Sequence, residues 1–100
     1  MEEYNITIMS PAQVDFLDIV EHLNTMPPET AAHNYEQIVS KIKTLAAAPE
    51  YNPLAKDAQL RLRGYRTTTA NDYTVFYVIK NKAVELRRIL YSRRQYECLF

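Results

Sequence analysis

The 100-residue sequence has one cysteine, one glycine, two histidines and no tryptophan. The lone Cys98 cannot form a disulfide within the chain, which argues against a secreted disulfide scaffold and fits a reducing cytosol. No stretch approaches the roughly 18 consecutive apolar residues of a membrane span, and the acidic opening Met1-Glu2-Glu3 is unlike a signal peptide. The cysteine and histidine spacings of a zinc module are absent as well. We therefore expect a cytoplasmic protein that uses no metal or other cofactor and does not enter a membrane.

Charge is plentiful but unevenly distributed along the chain. The composition, 47% hydrophobic and 24% charged, is typical of one small globular domain, which we expect to span residues 1–100. Residues 1–50 hold two basic and eight acidic residues, a balance of −6, whereas residues 51–100 hold ten basic and four acidic residues, a balance of +6. This asymmetry favours a basic face for a polyanion or an acidic partner, opposite a solvated acidic face. The alternative is charge complementarity inside the fold, between helices and sheet.

The first half of the chain has the pattern of a strand followed by two helices. Tyr4–Ile8 alternates with period two, as a strand does. The run Ser10-Pro11-Ala12-Gln13 predicts a helix start, with Ser10 and Gln13 forming a capping box. This helix should end near Asn24, because Pro27-Pro28 cannot continue it.

Both helices are predicted to be amphipathic. In the first, Asp15, Asp18 and Glu21 are expected to lie off the apolar stripe. The second helix is opened by Pro28 and stopped by Pro49. Helices joined by so short a loop pack as an antiparallel hairpin, and their apolar stripes then need a further surface to cover.

The second half of the chain has strand character after an irregular connection over residues 49–60. Leu60, Leu62 and the stretch Tyr65–Thr69 are compatible with a strand, and Gly64 marks a bulge or a close backbone approach. Two further strands are expected, Tyr73–Ile79 and Ala83–Tyr91, joined by a turn at Asn81-Lys82. The order β-α-α-β-β-β predicts an α+β fold with a twisted, mainly antiparallel sheet covered on one face by the helical hairpin.

Arginines dominate the residues that could carry chemistry. Arg61 and Arg63 are two positions apart, so on an extended chain both point to the same face. Further arginines follow the last strand beside Tyr91 and Tyr96. Guanidinium groups contact phosphate and aromatic rings stack unpaired bases, so this surface suits single-stranded RNA. A face that binds only protein is the alternative.

Other catalytic patterns are weak. His22, His33 and Cys98 have no partner at a catalytic or ligand spacing, and we expect them to be structural or surface residues. A nuclease built on this chain would use arginines to neutralise charge and a lysine or tyrosine to move protons. Ordinary lysine and tyrosine side chains have pKa values of about 10, which suits that task poorly at neutral pH.

Two segments at this chain length resemble the RelE/ParE superfamily of toxins from bacterial type II toxin–antitoxin (plasmid stabilisation) systems. One is Tyr4–Leu23, with Ser10-Pro11-Ala12 at the start of the first helix. The other runs from Asn71 to Tyr96 and ends in Ile-Leu-x-x-Arg-Arg-x-Tyr, which is similar to the closing hairpin of the family. The resemblance covers essentially the whole chain and implies the same fold.

The resemblance implies a cognate antitoxin and one of two toxic activities. RelE-like members cut mRNA in the ribosomal A site, and we expect this ribosome-dependent endoribonuclease activity first, with ribosome and mRNA as partners. ParE-like members poison DNA gyrase by protein binding, which is the alternative. A third possibility is an inactive interaction module. Where nuclease members carry an arginine after the first tyrosine of the central strand, this chain has Thr74.

The resemblance also assigns expected roles to individual residues. The C-terminal arginine and tyrosine of the family match Arg94 (or Arg93) and Tyr96, and Arg61 and Arg63 lie in the region of the family's basic residues before the central hairpin. The expected catalytic residues are Arg61, Arg63, Arg94 and Tyr96. The expected RNA-binding residues are Lys56, Arg66, Arg93 and Tyr91.

Overall fold

A computed structural model describes residues 3–92 and residue 100 of the chain. The strands are β1 (Asn5–Ile8), β2 (Arg66–Ala70), β3 (Tyr73–Lys80) and β4 (Ala83–Tyr91), and the helices are α1 (Ser10–Leu23), α2 (Pro28–Ala47) and α3 (Ala58–Leu62). A 3₁₀ turn, Pro49–Tyr51, follows α2. The architecture is α+β in the predicted order, with α3 as an addition.

The four strands form one mixed sheet in the order β1-β4-β3-β2. β1 runs parallel to β4, while β3 pairs antiparallel with both β4 and β2. The turn between β3 and β4 is the predicted one, since Asn81 and Lys82 both have positive φ, 49° and 61°. Two consecutive residues of this conformation match the twist of the flanking strands. The prediction of a mainly antiparallel sheet is confirmed.

The sheet separates two apolar layers. The larger layer lies between the sheet and the pair α1 and α2, with Ile38, Val75, Tyr77 and Leu86 fully buried. The smaller layer lies on the opposite face, where residues of β3 and β4 pack with α3 and the segments that flank it. Its members are Ala55, Leu60, Tyr65, Phe76, Val78 and Leu90, with Phe100 against them. The helical hairpin therefore covers one face, as predicted, and the short α3 covers part of the other.

The start of α1 differs from the prediction. The N-cap residue is Met9, Ser10 is already helical, and no side chain caps the helix. The Gln13 side chain instead donates to the backbone carbonyl of Ile8, the last residue of β1, at 2.8 Å. The predicted Ser10–Gln13 capping box is wrong, because such a box needs its serine at the N-cap, and Met9 occupies that position. The end of the helix at Asn24 is confirmed.

Asp15 was expected off the apolar stripe of α1, and this prediction is wrong, since the residue is buried. β1 ends at Ile8, which pairs with Leu86, so that β4 continues beyond the end of its neighbour. The Asp15 carboxylate lies beside this free edge and accepts a hydrogen bond from the Ile89 backbone N–H at 3.0 Å. A buried N–H needs a partner, and here a side chain replaces the missing strand.

The strand predicted at Leu60 and Leu62 is a helix, α3. Asp57 caps it, accepting a hydrogen bond from the Leu60 N–H at 3.0 Å. At the other end Gly64 has φ +81°, and its N–H donates to the Arg61 carbonyl at 3.0 Å. The Tyr65 N–H donates to the Leu60 carbonyl at 3.0 Å, which completes a Schellman motif. Gly64 therefore ends a helix, and the sequence missed this because α3 has only five residues.

Candidate functional site

A β-bulge in β4 presents two arginines in different directions. Phe76 pairs with Arg88 and Tyr77 pairs with Leu86, so Arg87 is an extra residue opposite this pair. The Arg87 guanidinium lies over the Tyr65 ring, on the face with the smaller apolar layer. The Arg88 guanidinium turns to α1, where it binds Asp15. Bulges redirect side chains in this way and are frequent beside functional sites.

Two guanidinium groups gather on one tyrosine ring. The Cζ atom of Arg63 lies 5.1 Å from the centroid of the Tyr65 ring, and that of Arg87 lies 6.0 Å from it. Both distances are within the range of a cation–π interaction. Arg87 also donates from Nη2 to Glu85 Oε1 at 2.7 Å, but its Nε is buried and has no hydrogen-bond partner among the described residues.

These residues line a cleft of about 330 Å³, which we call the arginine cleft. Phe100 closes one side, with its ring centroid 5.2 Å from that of Tyr65. Of the described residues that line the cleft, none is a histidine, aspartate or glutamate. Its lining is Met9, Pro11, Arg63, Tyr65, Arg87, Arg88 and Phe100.

Lys56 lies just before α3, and Arg61 lies within it. Arg61 is exposed and donates from Nη1 to the Lys56 carbonyl at 3.0 Å. The Lys56 side chain is also exposed. Arg63 follows α3 as its C-cap residue. Arg61 and Arg63 therefore do not share one face of an extended strand, and that prediction is wrong because this segment is helical.

Arg66 lies away from the arginine cleft. It begins β2, and its Nη1 donates to the carbonyls of Asn52 at 2.6 Å and of Glu50 at 3.3 Å. The Asn52 amide in turn donates to the Tyr77 hydroxyl at 3.2 Å. Arg66 thus fastens the segment after α2 to the sheet, next to the larger apolar layer.

Tyr91 lies in a second concave region, of about 420 Å³, which we call the tyrosine pocket. Its ring is edge-to-face with that of Tyr73, with 6.0 Å between centroids. The remaining lining comes from α1 and the end of β4. The pocket is lined by Asp15, Asp18, Ile19, His22, Tyr73, Ile89, Leu90 and Tyr91.

The structure therefore places the predicted site residues in separate regions and not on one surface. Arg63 lines the arginine cleft, with Arg61 and Lys56 around the nearby α3, whereas Arg66 and Tyr91 lie elsewhere. Arg93, Arg94 and Tyr96 lie outside the described residues. Thr74 shares a hydrogen bond with Ser92, Oγ1 to Oγ 2.8 Å, at the position where nuclease relatives were expected to carry an arginine.

The sequence did not single out Tyr65, Arg87 or Asp15. Their roles depend on α3, on the bulge in β4 and on the early end of β1, none of which has a clear sequence signal. The adjacent pair Arg87-Arg88 in the middle of a strand was one available sign, because neighbouring strand residues point to opposite faces.

No group of three or more histidine, cysteine, aspartate or glutamate side chains in residues 3–92 and 100 is arranged to hold a metal ion. Within the same part of the chain, no helix is both long and apolar enough to cross a membrane.

The fold is shared with solved proteins of bacterial toxin–antitoxin systems. A chain of the chromosomal ParDE TA system from P. aeruginosa superposes with a TM-score of 0.72 and 20% identity, over 89% of this chain and 96% of that one. A chain of the toxin–antitoxin complex RelBE2 from Mycobacterium tuberculosis superposes with a TM-score of 0.58 and 20% identity, over 89% and 98%. At this identity the likeness establishes the fold.

The family of the chain is identified from its sequence. Residues 6–96 match the model of the ParE toxin of the type II toxin–antitoxin system, parDE. The chain therefore belongs to the ParE toxin family, which confirms the resemblance to the RelE/ParE superfamily. A search of curated proteins finds no match.

Proposed function

We propose that this toxin is held inactive by a cognate antitoxin and, when free, acts by binding a protein target through the arginine cleft, with DNA gyrase as that target. Membership of the ParE family supports this, since ParE-like members of the superfamily are gyrase poisons. The superposed chains come from systems described as toxin–antitoxin pairs, which supports the antitoxin partner.

The observation that carries the proposal is the lining of the arginine cleft. Cleavage of a phosphodiester needs one group to remove a proton and another to deliver one. Among the described lining residues, the arginines stay protonated and Tyr65 is the one remaining side chain able to exchange a proton. Its side chain is buried in the smaller apolar layer. Such a cleft is better suited to binding than to proton transfer.

The positions of three other arginines, two of them predicted site residues, support the same conclusion. Arg61 and Arg66 donate to backbone carbonyls, and Arg88 is paired with Asp15. Stabilising the charge of a transition state needs donors that converge on one site. These three groups instead serve three separate structural contacts.

Two arginines on an aromatic ring do favour a second candidate, cleavage of mRNA on the ribosome. Arg63 and Arg87 could contact phosphate while a base stacks on the exposed rim of the cleft. The catalytic chemistry would then depend on groups supplied by the ribosome or by residues beyond the described part.

The two candidate functions predict that different molecules are damaged first when the toxin is expressed without the antitoxin. Plasmid topology and mRNA integrity would be measured in the same cells within minutes of induction. We expect intact messages together with gyrase-linked DNA breaks or lost supercoiling. The control is Lys41→Ala, which removes an exposed positive charge from α2, far along the chain from the cleft residues, and should leave the damage unchanged. Messages cut within codons, with cleavage abolished when translation initiation is blocked, would replace the proposal with mRNA cleavage.

A further inference from the structure

We infer that the tyrosine pocket binds an arginine side chain of the antitoxin. This rests on the antitoxin partnership proposed above, but it does not depend on whether gyrase or mRNA is the target.

The first argument is charge. Asp15 is already neutralised by Arg88, so it does not need a further cation. Asp18 lines the same pocket, is exposed, and makes no hydrogen bond or ion pair with any described residue. Since no described residue forms an ion pair with it, this carboxylate at the rim of a concave site favours a cationic group of a partner.

The second argument is an unused hydroxyl. Tyr73 also lines the pocket, and its hydroxyl forms no hydrogen bond within the described part of the chain. Burial is the main reason that the pKa of Tyr73 is raised, so the hydroxyl is neutral and able to accept as well as donate. The hydroxyl oxygen is not fully buried, so water can reach it in the free protein, and a ligand in this pocket would take the place of that water.

The third argument is the aromatic surface. Tyr91 is 43% exposed and lies edge-to-face with Tyr73, so part of its ring remains available to a ligand. A guanidinium group stacks on such a ring and donates to carboxylate and hydroxyl oxygens at the same time. Arginine thus fits the whole set of carboxylate, hydroxyl and ring better than the compact ammonium of lysine.

The surface next to the pocket points to a protein as the source of this arginine. Val14 lies one helical turn before Asp18 and is 58% exposed, and Leu17 is 64% exposed. Exposed aliphatic residues beside a charged pocket are covered by a protein segment rather than by a small cation. Tyr91 was expected to bind RNA, whereas the Asp18 carboxylate in the same pocket favours a cation over a phosphate.

The experiment measures the affinity of the refolded toxin for the full-length antitoxin by calorimetry, at low and high salt. Asp18→Asn should raise the Kd about tenfold at low salt, the loss expected for one charge-assisted hydrogen bond, and less at high salt. Tyr91→Leu should weaken binding in the same direction. Glu21→Gln is the matched control, because Glu21 is an exposed acidic residue of α1 that does not line the pocket. It should stay within about twofold of the wild type.

A second measurement identifies the arginine. Each arginine of the antitoxin is replaced by glutamine and tested against wild-type toxin and Asp18→Asn. Non-additive losses for one antitoxin arginine would support the inference, and additive losses for all of them would overturn it.

Three other results would also overturn the inference. Asp18→Asn could bind the antitoxin as tightly as the wild type. It could instead abolish growth arrest with unchanged antitoxin affinity, which would show that the pocket binds the target of the toxin. It could also change only the sedimentation of the free toxin, which would show that the pocket binds a second copy of the chain. Failure of the wild-type toxin to bind the antitoxin at all would refute the proposed partnership together with the inference.

Discussion

Arg88 and Asp15 form a two-bond ion pair that joins the basic half of the chain to the acidic half. Arg88 donates from Nε to Asp15 Oδ2 at 2.7 Å and from Nη2 to Oδ1 at 2.8 Å. The side chains are only 17% and 9% exposed, and hydrogen bonding to Asp15 is the main reason that the pKa of Arg88 is raised. Part of the charge segregation seen in the sequence is therefore internal complementarity between α1 and β4.

We predict that Asp15→Ala destabilises the protein by about 3 kcal/mol. The substitution leaves the Arg88 guanidinium without its partner in a largely buried site. It also removes the acceptor for the Ile89 N–H at the free edge of β4. The free energy of unfolding, measured in urea, provides the test.

The double variant Asp15→Leu with Arg88→Met is the control for this prediction. Because replacing both members of a buried pair with apolar residues avoids an unpaired charge, we expect it to recover much of the loss. Glu21→Gln, on the exposed side of the same helix, should change the stability by less than about 0.5 kcal/mol. An Asp15→Ala variant as stable as the wild type would show that the pair contributes little.

The sequence predicted the elements whose signals are local. The β3–β4 hairpin follows from a long β-branched and aromatic run around Asn81-Lys82, and Pro28 and Pro49 delimit α2. These signals act over a few residues and need no knowledge of the rest of the chain. The family resemblance followed from the same segments and is confirmed.

The arrangement of the site depends on tertiary relationships that no local signal records. Asp15 is buried because β1 is shorter than β4, and Arg87 reaches Tyr65 because of a single extra residue in β4. The period-two alternation of a strand predicted that Arg61 and Arg63 share one face, but Arg61 lies in α3 and Arg63 is the C-cap residue of that helix. A five-residue helix has too few positions to show a periodicity, so strand propensity dominated the prediction.

Replacing Gly64, which ends α3, with a residue that has a side chain should lower the free energy of unfolding. A Cβ at this position would have no heavy atom within 4 Å, so the expected loss comes from the backbone alone. At φ +81° an alanine is strained by about 1–2 kcal/mol. Gly64→Ala should lower the free energy of unfolding by that amount, and Gly64→Asn, which tolerates the left-handed conformation better, should lower it less. Equal effects of the two substitutions would contradict this explanation.

The Tyr77 hydroxyl links the centre of the sheet to the segment after α2. It donates to the Pro49 carbonyl at 2.5 Å and accepts from the Asn52 amide at 3.2 Å. Tyr77→Phe leaves the Pro49 carbonyl without this donor, and we expect a loss of about 1–2 kcal/mol at neutral pH, measured by urea unfolding. Tyr73→Phe, whose hydroxyl has no partner among the described residues, should cost less than about 0.5 kcal/mol.

Tyr77 should also contribute to loss of stability in alkali. Burial raises its pKa above the ordinary value of 10.0. The unfolded chain therefore releases this proton first, so the stability due to neutral Tyr77 is fully present below pH 10 and is lost as the pH rises through the folded-state pKa. Unfolding measured between about pH 9 and 11.5 should show a smaller decline for Tyr77→Phe than for the wild type. Parallel declines for the two proteins would exclude Tyr77 as a source of the effect.

Arg87 should matter for toxicity far more than for stability. Its buried Nε lacks a hydrogen-bond partner in the described part of the chain, and its ion pair with Glu85 is partly exposed, so the folded state gains little from it. We expect the free energy of unfolding of Arg87→Ala to lie within about 1 kcal/mol of that of the wild type. On the proposed function, the same variant should bind purified gyrase at least about tenfold more weakly and should no longer arrest growth. Arg87→Lys, which keeps the charge but not the planar contact with Tyr65, should fall between the two. Lys41→Ala, which removes one positive charge from an exposed site on α2, should arrest growth as the wild type does. Full growth arrest by a stable Arg87→Ala protein would show that the arginine cleft is not the surface that acts on the target.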